Sequence, residues 1–224
     1  MIQNDRISIL ETGFSFWEHL SEEEKELLAA SCSIVQFEKG ALIHRHDEIC
    51  IGMLLVLSGQ IRTYILSDDG REVTLYRLYK GDTCILSASC VLDAVAFDVL
   101  IESVEPTEAL LVPLPAFHRL MTQNVHVELF AYKLSTERFS DVMWTIQQIL
   151  FMGADKRLAI FLWDETAKTG EDTISYTHDQ IARYIGSARE VISRMLKYFS
   201  EEGIVSLSRG KIRILDRSRL KGYL

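Results

Sequence analysis

Five side chains between residues 189 and 197 have the chemistry to read a nucleic acid. At about 100° per residue, Arg189, Glu190, Ser193, Arg194 and Lys197 fall on one side of a helix. That face carries two guanidinium groups, a carboxylate, a hydroxyl and an ammonium. Arginine can donate bidentately to guanine O6 and N7, and a carboxylate can accept from cytosine N4. The opposite stripe, Ile192, Met195, Leu196 and Phe199, is apolar and is expected to pack inward. A charged face on an arbitrary helix is usually just solvated, so the flanking sequence has to decide between the two readings.

The flanks favour a helix-turn-helix. Thr177 with Gln180, and Ser187 with Glu190, each have capping-box spacing and so mark two helix starts. Between them Ile185-Gly186-Ser187 reads as a tight turn in which Gly186 is free to take a positive φ. Two short helices joined by a glycine-containing turn form a helix-turn-helix. Gly203 closes the second helix. Ile204 to Leu207 and Lys211 to Leu215 then form a hairpin around Ser208-Arg209-Gly210, which gives a wing with a basic tip. Arg189, Glu190, Ser193 and Arg194 are the expected base readers, with Ser193 a weaker base or phosphate contact than the other three. Thr177, Lys197, Arg209 and Lys211 are the expected phosphate contacts.

Charge is distributed accordingly. The chain of 224 residues has a formal net charge of −8. Residues 178–224 hold ten Lys/Arg against five Asp/Glu, a net of +5, so the first 177 residues carry −13. The basic excess is confined to the segment that would release counterions from DNA. The acidic remainder would be repelled by phosphates, restricting contact to one face. No apolar run reaches the ~20 residues a spanning helix needs, and MIQNDRISIL has no secretory pattern, so a cytoplasmic location with no membrane partner is expected. In that compartment Cys32, Cys50, Cys84 and Cys90 are expected as free thiols.

The rest of the chain has to position this element. Ser21-Glu22-Glu23-Glu24 opens a helix through Leu27, Leu28 and Ala30, preceded by Phe14, Trp17 and Leu20. From Ile34 to Pro113 short apolar runs alternate with turn signals. Strands are predicted at Ile34–Phe37, Ala41–His44, Met53–Ser58, Gln60–Leu66, Glu72–Leu78, Val99–Glu102 and Glu108–Val112, with turn glycines at Gly40, Gly59, Gly70 and Gly81. This pattern points to an antiparallel, jelly-roll-like β-roll. Phe117 to Met152 reads as one helical block, with Phe139, Val142, Met143, Ile146, Ile149 and Leu150 at helical spacing. Its apolar face is broad, and a second copy of the chain is the economical cover; packing against the chain's own roll is the alternative. Gly153 is a candidate hinge before a helix over Ala154–Thr166, whose Leu158, Ile160, Phe161, Leu162 and Trp163 would supply a core. A short strand near Ile174–Tyr176 follows. The expected fold is α+β, with a sensor domain over 1–116, a dimerisation helix and hinge over 117–152, and a winged helix-turn-helix over 153–224.

Arg189-Glu190, Ser193-Arg194 and the wing resemble the DNA-reading element of the Crp/Fnr family of bacterial transcription regulators. That resemblance covers about the whole chain and is most specific over residues 177–215. It implies a cyclic-nucleotide-binding-type β-roll, a homodimer, double-stranded DNA and RNA polymerase as partners, and TGA-containing half-sites such as TTGAT or TGTGA in an inverted repeat. In cyclic-nucleotide-responsive relatives a Gly-Glu pair holds the ribose and an arginine holds the cyclic phosphate. Here the segment after Gly81 runs Asp82-Thr83-Cys84-Ile85-Leu86-Ser87-Ala88-Ser89-Cys90. Ser87 stands where the glutamate is expected, and no arginine lies between Lys80 and Arg119. A buried phosphate without a cationic partner is poorly compensated, so cyclic AMP is disfavoured. The N-terminal iron–sulfur cluster of other relatives is disfavoured too, because residues 1–31 contain no cysteine.

The effector is left open. Cys84, Leu86, Ser87, Ser89 and Cys90 could line a pocket for a small organic molecule. Cys84 and Cys90 could instead form a redox pair or ligate a metal with His44 or His46, although no Cys-x-x-Cys spacing exists, and buried cysteines are commonly inert. His44 and His46 share a strand face and are expected as an exposed pair rather than ligands. No metal site and no catalytic residue is assigned: the chain lacks a phosphate-cradling glycine loop, a serine-nucleophile elbow and a zinc-protease helix.

Overall fold

The computed structural model describes residues 3–44, 51–85 and 99–224. Two compact units divide the chain: residues 1–65 with 75–142, and residues 66–74 with 143–224.

The first unit is built on two four-stranded antiparallel sheets. Strands β1 (Ser33–Phe37), β8 (Thr107–Pro113), β3 (Gly52–Ser58) and β6 (Thr83–Cys84) form one, in the order β1-β8-β3-β6. Strands β2 (Leu42–His44), β7 (Leu100–Ser103), β4 (Ile61–Leu66) and β5 (Glu72–Leu78) form the other, in the order β2-β7-β4-β5. The roll encloses Ile43, Leu54, Val56, Ile61, Leu75, Leu78, Val99, Ile101 and Ala109. Its other flank is covered by α1 (Gln3–Gly13), a 3-10 turn at Trp17–His19, α2 (Glu22–Ser31) and α3 (Leu114–Gln123), which pack Leu10, Phe14, Trp17, Leu28, Phe117 and Leu120 against Met53, Leu55 and Val112. Helix α2 starts where its capping box requires: Glu24 N donates to Ser21 Oγ at 3.2 Å, and Ser21 N donates to Glu24 Oε2 at 2.7 Å.

The expected single helical block over 117–152 is in fact two helices. Asn124 stands between α3 and α4 (Val125–Phe151) with φ −129° and ψ 112°. Its side-chain oxygen accepts from His126 N at 3.0 Å, and its Nδ2 donates to His19 O at 3.1 Å. An asparagine that caps the next helix and pins an earlier turn stops the first helix there. Phe117 therefore lies on α3, in the core that the N-terminal helices form against the roll's flank, and the long helix begins at Val125.

The second unit packs α5 (Ala154–Thr169), α6 (His178–Ile185), α7 (Arg189–Glu201) and α8 (Arg217–Lys221) around a three-stranded sheet of β9 (Thr173–Ile174), β11 (Lys211–Ile214) and β10 (Val205–Ser208). Leu158, Phe161 and Leu162 reach its core, while Ile160 and Trp163 are only half-buried. Gly153 is the extended N-cap of α5 with φ −62°, a conformation open to any residue, so this helix break does not need glycine. Among the described residues no helix is long and apolar enough to cross a membrane.

Candidate nucleic-acid interface

Helix α6 is fixed at its start by the expected capping box. Thr177 N donates to Gln180 Oε1 at 2.9 Å and Gln180 N donates to Thr177 Oγ1 at 3.1 Å, so the Thr177 hydroxyl is engaged in the cap. Gly186 ends the helix at φ 62°, a left-handed conformation that glycine adopts without strain. The second expected capping box does not form. Ser187 N donates back to Ala182 O at 2.9 Å, closing α6, and Ala188 takes the N-cap position of α7 with no side-chain cap. The turn is too tight for Ser187 to serve both helices.

Helix α7 divides its faces as its periodicity requires. Ile192, Leu196 and Phe199 are fully buried, and Met195 packs half-buried beside them. Arg189, Glu190 and Arg194 are exposed and make no ion pair among the described residues; Ser193 is half-buried. Arg189 and Ser193, like Glu190 and Arg194, are one turn apart, so the four form a compact patch. Glu190 lies in the first turn, where the helix dipole favours a carboxylate. Lys197 is exposed and 3.7 Å from Glu201, a loose pair worth little in solvent, so its ammonium is open to a phosphate.

The wing forms in the register Val205↔Ile214 to Ser208↔Lys211. Arg209 and Gly210 make the two-residue turn, with Gly210 at φ 70°. Ile212 and Ile214 point into the core, while Lys211 and Arg213 share the outer face. Arg213 is a further candidate phosphate contact that the sequence reading passed over, although the alternation of Lys211-Ile212-Arg213-Ile214 carries the signal.

The chain as a whole is similar to known proteins. A model of the Crp-like helix-turn-helix domain matches residues 156–223, and one of the cyclic nucleotide-binding domain matches residues 34–124. A solved structure of a putative transcriptional regulator of the Crp/Fnr family from Eubacterium rectale is 45% identical, with a TM-score of 0.89 and coverage of 94% of this chain and 98% of that one. The chain belongs to the Crp/Fnr family. The probable transcriptional regulator flp of Lacticaseibacillus casei is 25% identical over 217 residues, covering 92% of this chain and 94% of that protein. The cyclic AMP receptor protein of Thermus thermophilus is 23% identical over 209 residues, covering 93% and 96%. Like the rest of its family, this protein is a DNA-binding transcription regulator and not an enzyme.

In this Crp/Fnr regulator Cys84 alone of the five expected pocket residues can be placed. It is fully buried on β6, while Leu86, Ser87, Ser89 and Cys90 lie outside the described residues, as do His46 and Cys50. His44 is buried on β2 rather than exposed: the strand's register shifts between Leu42 and His44, so the simple alternation that would leave His44 beside exposed Leu42 is broken. No group of three or more potential metal ligands occurs among the described residues. Cys32 is also buried, and desolvation pushes its thiol up to about 12 despite the opposing charge of Arg6, so it carries almost no thiolate near neutrality.

A different polar cluster sits where β4, β5 and α4 meet. Thr63 is fully buried and Tyr76 is 8% exposed, and neither Thr63 Oγ1 nor Tyr76 Oη finds a hydrogen-bond partner. Thr63 is near enough to act on the phenol's ionisation without closing a hydrogen bond of ordinary geometry. The Arg138 guanidinium lies over the Tyr76 ring at 5.2 Å and donates to Asp141 Oδ2 at 2.7 Å, leaving its buried Nε–H unpartnered. Burial, reinforced by Cys84, drives the Tyr76 phenol well above its ordinary pKa, so it remains an O–H donor. These residues are scattered in sequence at 63, 76 and 138, with no local spacing to announce them.

Proposed function

We propose that this regulator acts as a homodimer that reads an inverted repeat with TGA-containing half-sites, under the control of a small effector other than cyclic AMP. One observation carries the DNA reading: Arg189, Glu190, Ser193 and Arg194 form one accessible patch on α7, beside the cationic wing of Arg209 and Lys211. A single helix-turn-helix reads only a half-site, so a two-fold dimer matches a palindrome. The apolar residues Phe139, Val142, Met143, Ile146, Ile149 and Leu150 on α4 are the proposed dimer seam.

One feature supports an effector other than cyclic AMP, and a second supports a place where an effector of either kind would sit. The segment that would hold a cyclic phosphate has no arginine between Lys80 and Arg119. Thr63, Tyr76 and Arg138 together offer a hydroxyl, a phenol and a guanidinium N–H that lack partners. Unpartnered buried polar groups cost stability, so a ligand that completes them gains that cost back on binding. An effector with acceptor oxygens satisfies all three, and contact with Arg138 would let it bias α4 between two states. Tyr76→Phe is expected to leave the thermal unfolding midpoint of the free protein unchanged or raised, since it removes an unsatisfied hydroxyl. A destabilisation of about 1 kcal/mol or more would instead make the phenol a structural hydrogen-bonding group.

An anisotropy titration tests the DNA reading. A TTGA-type palindromic duplex is expected to bind more tightly than a scrambled duplex of equal length, with affinity falling steeply as salt rises. Equal affinities in the presence and absence of cell-extract small molecules would sink the assignment of the base readers.

A further inference from the structure

Among the described residues His178, the first residue of α6, is the one hydrogen-bond partner of the Ser193 hydroxyl. His178 Nδ1 and Ser193 Oγ are 2.8 Å apart, across from one helix of the motif to the other. Among the described residues neither side chain makes another hydrogen bond. The neighbours do not compete for the imidazole: Thr177 and Gln180 bond each other, and Asp179 pairs with Arg183 at 2.7 Å. We propose that His178 is a positioning residue that fixes the direction of the Ser193 hydroxyl, so that Ser193 reads DNA as an acceptor of a base amino hydrogen. The inference rests on the assignment of Ser193 to base reading and gives that assignment a sign.

The argument is one of proton counting. A serine hydroxyl has one hydrogen and two acceptor lone pairs. Neutral imidazole intrinsically prefers the tautomer protonated at Nε2, and that is the tautomer we assign to His178. Nδ1 is then an acceptor, and the hydrogen bond made by one ring nitrogen sets the role of the other. The Ser193 hydrogen is spent on Nδ1, and only lone pairs face the groove. The major-groove groups that can donate to them are adenine N6 and cytosine N4, whereas thymine O4 and guanine O6 or N7 cannot. Without His178 the hydroxyl rotates freely and serves either kind of base edge.

Amino-deletion scanning tests this directly. A bound palindrome is remade with one amino group missing at a time, purine replacing adenine or 2-pyrimidinone replacing cytosine, and affinities are measured for the wild-type, Ser193→Ala, His178→Ala and His178→Asn proteins. Thermal unfolding of each variant confirms that it is folded. The wild-type protein is expected to lose about fivefold at one half-site position, and Ser193→Ala and His178→Ala to become indifferent to that deletion. His178→Asn, which places a polar atom where Nδ1 was, should restore much of the sensitivity. The inference is overturned if His178→Ala keeps the full loss, if it weakens all duplexes equally with a shallower salt dependence, or if the Ser193-dependent position responds to deletion of a base acceptor instead. A scan in which Ser193→Ala changes nothing at any position overturns the base-reading assignment itself, and this inference with it.

Discussion

Replacing Arg194 with alanine is expected to weaken binding to the palindromic duplex by about 1–3 kcal/mol, or roughly 5- to 150-fold, and to relax the preference at one G·C pair. Arg194 is exposed and makes no ion pair among the described residues, so its removal breaks no contact inside the protein. The residues that hold α7, Ile192 and Leu196, are on the opposite face and fully buried. The loss should therefore appear in recognition and not in stability. The scrambled duplex should change little, and the salt dependence should keep its slope. If every sequence weakens alike and the slope falls by about one ion, Arg194 is a phosphate contact. Arg194→Lys is expected to behave nearly as badly as alanine, because a point ammonium cannot reproduce the bidentate fork.

That α7 was legible in the sequence follows from the nature of its signals. The apolar stripe Ile192-Leu196-Phe199, the Thr177–Gln180 box and Gly186 are local, and each imposes one conformation on a few consecutive residues. Seven of the roll's eight described strands were also readable, several of them bounded by turn glycines such as Gly59, at φ 82°, whereas the two-residue β6 was too short to show a pattern. What could not be read was the pairing between distant elements. Residues Ile61 to Tyr64 of β4 are all buried, so the strand shows no alternation to say which side chains face the roll interior. The meeting of Thr63, Tyr76 and Arg138 depends on three elements finding one another. His178 likewise looked like an ordinary first-turn residue until α6 and α7 were packed. Asn124 was passed over inside one expected helical block, and Ser187 was misread as a helix cap, because their roles depend on a second partner: His19 for the one, and the closing of α6 for the other. Local grammar thus exposed the proposed DNA-reading surface, while the groups suited to binding an effector emerged only from tertiary packing.

The second large effect is expected on α4. Phe139 and Leu150 are 65% and 66% exposed, and Met143, Ile146 and Ile149 are exposed with them. Phe139, Val142, Ile146 and Ile149 follow the three-four spacing of a coiled-coil seam, with Met143 and Leu150 beside it. Val142 is partly covered by the roll's own core, so the free seam is carried mainly by the other five. A fully exposed side chain of this kind gains about 1.5–3 kcal/mol on burial, and the half-covered Met143, Ile146 and Ile149 gain less; against an association cost of roughly 4–15 kcal/mol, the proposed seam would tolerate few losses. In a two-fold interface one substitution acts twice. Ile146→Glu would bring two carboxylates together in an apolar seam without partners, and is expected to give a folded monomer by sedimentation with unchanged far-ultraviolet dichroism. Each monomer would keep its α7 patch, yet affinity for the palindrome should fall by about 100- to 10,000-fold through loss of bivalency, while affinity for an isolated half-site stays the same. A variant that remains dimeric would move the seam elsewhere. A wild-type protein that is already monomeric at micromolar concentration would show that the exposed face of α4 is covered by something other than a second copy.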